Sequence, residues 1–364
     1  SYVRGTAMRV SWAERLTDLA IAAFLWAFRI AVVLIVVVGS LLTLASGKYS
    51  AATWVDLIIQ GLTVGSIFSL VALGYTMVYG ILRLINFAHG EIFMSGAFGG
   101  YFVATALQGF GFLNANPITS IVSVVLMMAG AMAVSVTLAL LVERIAYRPL
   151  RNAPRLVPLI SAIGASFFLQ YTFRGLFGAG LYAYPAVNIL NGPVPIEFLR
   201  MQWVDVLVIA AALAMMAGLY VFVQRTKTGT SIRAVSEDTA AAALMGIDVN
   251  RTIVTTFAVG AAMAGAAGVL FGLFFRQFDF FTGFVPGIKA FTAAVLGGIG
   301  NVPGAMLGGI FLGEVESVGP NLFLDGLGVP SANQLKDVIA FTMLVLILVF
   351  RPSGILGERV TQRA

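Results

Sequence analysis

Ile30-Ala31-Val32-Val33-Leu34-Ile35-Val36-Val37-Val38-Gly39-Ser40-Leu41-Leu42-Thr43-Leu44-Ala45 is a run of apolar side chains interrupted only by Gly39, Ser40 and Thr43. Such a run has no polar face to show water, so it is either a deeply buried element or a membrane span. Composition decides between them. Hydrophobic residues make up 59% of the 364, charged residues only 10%, and mean hydropathy is +0.96. A soluble domain of this length would lack the polar surface to cover its core. The chain therefore reads as an all-α polytopic membrane protein, every backbone polar group being satisfied within helices.

A basic N-terminus ahead of an apolar run also describes a secretory leader, whose core is about 7–15 residues long. This run is longer, and Trp12 and Trp26 stand where interfacial aromatics belong. An uncleaved anchor helix near 26–46 is expected, placing residues 1–50 in a basic N-terminal segment and 51–364 in the main domain.

The net charge of +6 is gathered into clusters: Arg4, Arg9, Arg15 and Arg29; Arg144, Arg148, Arg151 and Arg155; Arg225, Lys227, Arg233 and Arg251; and Arg351, Arg359 and Arg363. These hold 15 of the 22 basic residues and read as a positive-inside pattern, with no nucleic-acid partner expected. Between the clusters lie apolar segments near 54–82, 85–107, 119–142, 156–177, 203–224, 251–275 and 336–350, with two short Gly-rich ones near 285–299 and 303–318. The short pair falls below the roughly 20 residues of a straight span. Eight to ten transmembrane or half-membrane helices are expected, with both termini cytoplasmic. Glycines four apart (Gly61/Gly65, Gly268/Gly272, Gly304/Gly308, Gly309/Gly313) mark faces where helices approach closely.

Chemistry is sparse. There is no cysteine and one histidine, His89, so no catalytic residue and no metal site is expected. No phosphate-binding loop of the G-x-x-x-x-G-K-[ST] kind occurs, and Gly298-Ile299-Gly300 has the wrong spacing and surroundings for a dinucleotide fingerprint. No cofactor is expected in this chain. Two polar interruptions stand out: Arg83, Asn86, His89 and Glu91 between two apolar helices, and Arg276-Gln277-Phe278-Asp279-Phe280 followed by Gly283, Pro286, Gly287 and Lys289. The first reads both as a break shaping a transport path and as a tight turn with Arg83 snorkelling and Asn86 capping the next helix. Together they hint at an internal repeat, though the echo of Asn86-Phe87 in Asp279-Phe280 is too short to establish duplication.

Within the basic segment 225–251 lies Ser236-Glu237-Asp238-Thr239-Ala240-Ala241-Ala242-Ala243-Leu244-Met245-Gly246. It predicts a helix of about nine residues, roughly 13 Å long, N-capped by Ser236, with Glu237 and Asp238 at the positive end of its dipole and Gly246 as the stop. Too short to span lipid, it suits docking on a soluble partner.

Gly74-Tyr75-Thr76-Met77-Val78-Tyr79-Gly80, Ile85-Asn86-Phe87-Ala88-His89-Gly90-Glu91, Glu143-Arg144-Ile145-Ala146-Tyr147-Arg148-Pro149, Leu159-Ile160-Ser161-Ala162-Ile163-Gly164 and the run from Lys289 to Gly300 occur in order along the chain. Together they resemble the LivH-type permease of branched-chain amino acid ABC importers, over about Gly61 to Gly357. The resemblance implies a permease subunit in the bacterial cytoplasmic (inner) membrane. It also implies four kinds of neighbour: a related second permease, two cytoplasmic ATPase subunits binding ATP and Mg, an extracytoplasmic substrate-binding protein, and membrane lipid. It implies that Thr230–Asn250 couples to the ATPase, through Ser236, Glu237, Asp238, Ala240, Ala243, Leu244 and Gly246. A path involving Tyr75, Tyr79, Asn86, Phe87 and His89 would suit leucine, isoleucine and valine. Residues 1–50 and a short external loop at 178–202 depart from the family pattern. Urea or short amides are the alternative cargo. An ion-coupled carrier would need a carboxylate relay, and Asp56, Glu91, Asp279, Glu314 and Glu316 are scattered mostly near span ends.

Overall fold

The computed structural model describes residues 12–357 apart from 152, 155, 197–199 and 352, without the side chains of 12–15. Arg4, Arg9, Arg155, Arg359, Arg363 and the side chains of Trp12 and Arg15, used above to place the topology, lie outside the described residues. The helices are α1 (Trp12–Ser46), α2 (Ala51–Leu82), α3 (His89–Gly109), α4 (Pro117–Val142), α5 (Leu156–Phe177), α6 (Trp203–Arg225), α7 (Lys227–Glu237), α8 (Thr239–Leu244), α9 (Val249–Phe275), α10 (Phe284–Gly297), α11 (Val302–Gly319) and α12 (Lys336–Phe350). Seven are long and apolar enough to cross a membrane. The chain is an all-α, multi-pass membrane protein; its spans fall within a few residues of those expected from hydropathy except α1, which begins at Trp12, well before the expected start at 26.

Two compact units form. The smaller joins α1 to the segment Gly319–Lys336. A glycine makes this possible: a Cβ on Gly39 would stand 1.8 Å from the Phe323 carbonyl oxygen. One turn on, the Gly326 N–H donates to Thr43 Oγ1 at 2.8 Å, and Lys48 pairs with Asp325 at 2.8 Å.

The larger unit runs from Ala51 to Val318 and resumes at Asp337. Its centre is α2, α3, α4 and α9 packed on one another. Helices α2 and α9 are apolar on every side and buried along most of their length, as expected of elements surrounded by others. By contrast, α5 and α6 leave Ile160, Phe168 and Val221 outward, the surface a lipid solvent requires. The glycine faces meet as small-residue packing predicts. Gly61 and Gly65 of α2 face Gly309 and Gly313 of α11, so a Cβ on Gly313 would lie 2.3 Å from Gly65 Cα. Gly268 faces the Phe93 carbonyl of α3, while Gly304 and Gly308 face Gly297 and Ala293 of α10. Helices α10 and α11 form a hairpin whose turn carries Gly298 and Gly300 at φ +105° and +97°, values open to glycine alone.

The segment after α5 is held down by a two-stranded pairing, β1 (Tyr182–Ala183) with β2 (Gln277–Phe278), and by rings from Phe98, Tyr101, Tyr182 and Tyr184 around the buried Phe278. Sequence reading treated Lys289 only as part of a motif; it is a buried ammonium. Its Nζ lies 2.6 Å from Glu316 Oε1 of α11 and 2.6 Å from Asp337 Oδ1 of α12, tying three helices through one cation. Removing one partner of a buried pair strands the other's charge, at about 3–5 kcal/mol. Lys289→Met is therefore expected to lower the thermal midpoint of the purified protein markedly. Adding Glu316→Gln should recover much of the loss, and a double variant as unstable as the single one would refute the pairing as the cause.

Candidate functional site

The site is built on the first polar interruption. Helix α2 ends at Leu82 because Arg83 takes the left-handed conformation, φ +53°, after its N–H closes onto the Tyr79 carbonyl at 2.8 Å. The chain then runs without helix to His89. The tight-turn reading is corrected at Asn86. Arg83 is exposed, and its Nη2 donates to the Ser236 carbonyl at 3.0 Å. Asn86 does not cap α3 with its side chain, since its Oδ1 accepts from the Tyr147 hydroxyl at 2.9 Å while its backbone carbonyl takes the His89 N–H at 3.1 Å. The cause lies at the end of α4, where Glu143–Tyr147 widens into a π-helical turn and swings Tyr147 inward against Phe257.

Helix α3 thus begins inside the bundle. Its first turn meets the start of α10 with no side chain between: a Cβ on Gly90 would be 2.4 Å from the Gly283 carbonyl oxygen, and one on Gly287 2.9 Å from Gly90 Cα. Beside this contact opens a cavity of about 210 Å³ walled by Tyr75, Phe87, Ile163, Phe167, Phe284 and Phe291, with Glu91 and Ser166 as its polar members. Aromatic rings line one side, Tyr75 and Phe87 both packing on Phe291 at 5.8 and 6.2 Å between centroids. It is a small, largely apolar pocket with few polar groups, the usual make-up of a small-molecule site.

Of the five residues expected on the path, Tyr75 and Phe87 line this cavity. His89 supports it from behind, edge-on to Tyr75 at 4.8 Å and seated in the space left by Gly74, where a Cβ would be 2.1 Å from its Nε2. Asn86 is buried on Tyr147, and Tyr79 is half-buried outside the lining. The wall from α5 (Ile163, Ser166, Phe167) and from α10 (Phe284, Ile288, Phe291) went unseen. Glu91 was expected in the polar break and as a relay carboxylate, but not among the residues lining the path. Its side chain is 1% exposed, and its Oε1 accepts from Ser166 Oγ at 3.3 Å.

The segment 225–251 forms two helices where one was expected. Ser236 is not an N-cap: it sits in the last turn of α7, its Oγ donating back to the Arg233 carbonyl at 2.7 Å. Glu237 closes α7 and so does not meet the positive end of the following dipole. Asp238, extended at φ −149°, is the cap, its Oδ1 accepting from Ala240 N and Ala241 N at 2.8 and 2.9 Å. Gly246 ends α8 as expected, at φ +85°. Its N–H reaches the Ala243 carbonyl and that of Ile247 the Ala242 carbonyl, a paired closure that satisfies the last turn. Ala240 and Ala243 face outward, Ala242 is buried, and Leu244 and Met245 are 89% and 83% exposed, an apolar pair at the tip. Arg151 joins this region to the loop after α4, pairing with Glu143 and donating to Asn250 Oδ1 at 2.5 Å. Two basic clusters and the α2–α3 break therefore share one end of the larger unit. Removing the cap by Asp238→Ala should cost about 1 kcal/mol, read as roughly fivefold faster amide exchange at Ala240 and Ala241. Unchanged exchange would mean that the cap does not hold α8.

The family described as branched-chain amino acid transport system / permease component matches residues 57–348. The high-affinity branched-chain amino acid transport system permease protein BraD of Pseudomonas aeruginosa is 43% identical over 308 residues, 83% of this chain and 95% of that protein. The corresponding LivH protein of Escherichia coli K12 is 40% identical over 314 residues, 82% of this chain and 94% of that protein. The matched region holds every residue of the cavity and of the α7–α8 elbow.

Proposed function

The chain belongs to the branched-chain amino acid transport system permease family, and from this premise we propose that it moves branched-chain or other hydrophobic amino acids across a bacterial cytoplasmic membrane by alternating access. The observation that carries the proposal is the cavity at the α3–α10 contact: an apolar, aromatic wall for a branched side chain, with a carboxylate and a hydroxyl at its edge. Such a wall offers little to urea or a short amide, whose surface is almost all polar. Three of the five carboxylates that a relay for an ion-coupled carrier would draw on are engaged within the chain. Asp56 pairs with Arg200 at 3.8 Å, Glu316 with Lys289, and Asp279 closes its own turn through Phe281 N and Thr282 Oγ1.

Energy enters from outside the chain, from two cytoplasmic ATPase subunits that bind ATP and Mg, in an assembly with a second, related permease and an extracytoplasmic binding protein. The elbow of α7 and α8 is the docking handle. Its apolar tip, Leu244 and Met245, is uncovered in this chain, and the Arg83–Ser236 hydrogen bond ties the elbow directly to the break that shapes the cavity. Basic clusters at 144–155 and 225–251, joined by the Arg151–Asn250 bond, support a cytoplasmic placement for this end.

The reading is tested in proteoliposomes holding the complete importer. Leucine uptake is expected to require ATP and binding protein and to ignore a protonophore; uptake driven by a proton gradient alone would overturn it. Ala243→Arg places a long cation on an exposed face of α8 without disturbing its cap or its Gly246 stop. It is expected to cut ATP-driven uptake by about tenfold or more with the permease still folded. Uptake at the wild-type rate would remove α8 from the ATPase interface.

A further inference from the structure

We propose that Glu91 is the ammonium-binding group of the cavity, so that the permease path itself selects for a protonated primary amine next to an apolar side chain. The proposal rests on the amino-acid reading above and assigns the residue that enforces it.

Glu91 is the only charged side chain among the described residues lining the cavity. It is 1% exposed, and its second oxygen, Oε2, has no hydrogen-bond partner. An unpartnered carboxylate oxygen cut off from water is costly, and the cost is relieved either by protonation or by a cation at hydrogen-bond distance. Among the described residues, no basic side chain pairs with Glu91. Lys289, on the same helix as the cavity residues Gly287 and Phe291, is committed to Glu316 and Asp337, while Arg83, eight residues before Glu91, is committed to Ser236. The remaining neighbours are Ser166, which gives one hydroxyl to Oε1, and apolar or aromatic groups. The cavity beside Glu91 is therefore where a cation arriving with the cargo would meet the carboxylate, once the start of α10 shifts off Oε2.

An α-amino acid brings that cation on a carbon one bond from its side chain. With the ammonium at Oε2, the aliphatic part falls among Phe87, Ile163 and Phe291. A neutral cargo such as urea can donate hydrogen bonds to a carboxylate but brings no positive charge to offset it. A hydroxy-acid or keto-acid analogue of leucine lacks the ammonium altogether. Close packing keeps Glu91 in place: a Cβ on Gly283 would lie 2.8 Å from Oε2, so the start of α10 stands directly over the carboxylate. The competing role for Glu91 is to neutralise that helix start, which needs no cargo.

The test uses the complete importer in lipid, with binding protein and ATPases present. Glu91→Gln keeps the shape and removes the charge; it is expected to lower leucine moved per ATP hydrolysed by at least about tenfold, while loaded binding protein still stimulates hydrolysis. Glu91→Asp keeps the charge and is expected to retain more transport than Glu91→Gln. Wild-type transport by Glu91→Gln, or equal impairment of both variants, would overturn the assignment in favour of a packing role. A second measurement needs no variant. In solid-state NMR of the wild-type complex bearing ¹³C-labelled glutamate, the ¹⁵N of leucine held in the permease should couple to a glutamate carboxyl carbon within about 4 Å; no such coupling would equally overturn it. Failure of the amino-acid reading looks different: the wild-type importer itself would then move urea or amides and not leucine.

Discussion

The larger unit depends on one backbone contact, Gly90 of α3 against Gly283 and Gly287 at the start of α10, where no side chain fits between the chains. Two helix breaks deliver these glycines to the same point. Helix α2 stops at Arg83, φ +53°, and α9 stops at Arg276, φ +63°, both in a conformation that an arginine adopts only when its surroundings hold it there. Each stop is followed three residues later by Asn86 or Asp279, then by phenylalanine, and in each case seven residues later by the glycine that makes the contact. The two breaks enter from opposite ends, because α9 starts beside the α7–α8 elbow at which α2 finishes. A chain that lies within lipid tolerates non-helical backbone only where protein covers it. The reciprocal glycine contact supplies that cover and leaves the cavity beside it.

This arrangement explains why the fold was largely legible and the site only in part. Spans are set by a solvent that tolerates no exposed backbone, so hydropathy alone placed α2, α4, α5, α6 and α9 within a few residues of their observed ends. The glycine faces were legible for a related reason: close helix approach needs a missing side chain, and Gly61/Gly65 and Gly309/Gly313 turned out to be each other's partners. Residues at the breaks were legible as a group but not in their roles. Tyr75 and Phe87 line the cavity, whereas Asn86 is taken by Tyr147, a pairing created by a π-helical turn that no local pattern announces. The walls from α5 and α10 come from helices 70 to 200 residues away in sequence, and only the packed bundle brings them together. Lys289 was hidden the same way, its carboxylates lying on two other helices.

The elbow shows a different limit. Ser236 and Asp238 are both competent N-caps, and sequence alone does not choose between them. The choice is made upstream. Thr226 caps α7 by accepting from Gly229 N at 2.9 Å, so the chain reaches Ser236 already helical, and its hydroxyl bonds back to Arg233. Asp238 is the first residue free to turn extended, and it takes the cap. The outcome matters mechanically, since the bend falls between α7 and α8, and the Ser236 carbonyl freed at the end of α7 is the acceptor for Arg83. A single cap of about 1 kcal/mol thus positions the only side-chain hydrogen bond, among the described residues, that joins the elbow to the α2–α3 break.

Several charges of the larger unit are matched in the same way. Glu143 is matched by Arg151, Asp56 by Arg200, and Lys289 by two carboxylates. Each match fixes one element to another. Glu91, among the most deeply buried acidic side chains, has no ion-pair partner among the described residues and only the Ser166 hydroxyl as a hydrogen-bond donor. In a medium where an unmatched charge is costly, a carboxylate kept beside an open cavity and lacking a partner on one oxygen is better explained by a visitor than by packing. The apolar wall around it then fixes what else the visitor carries: one cationic donor, joined closely to a compact hydrocarbon side chain.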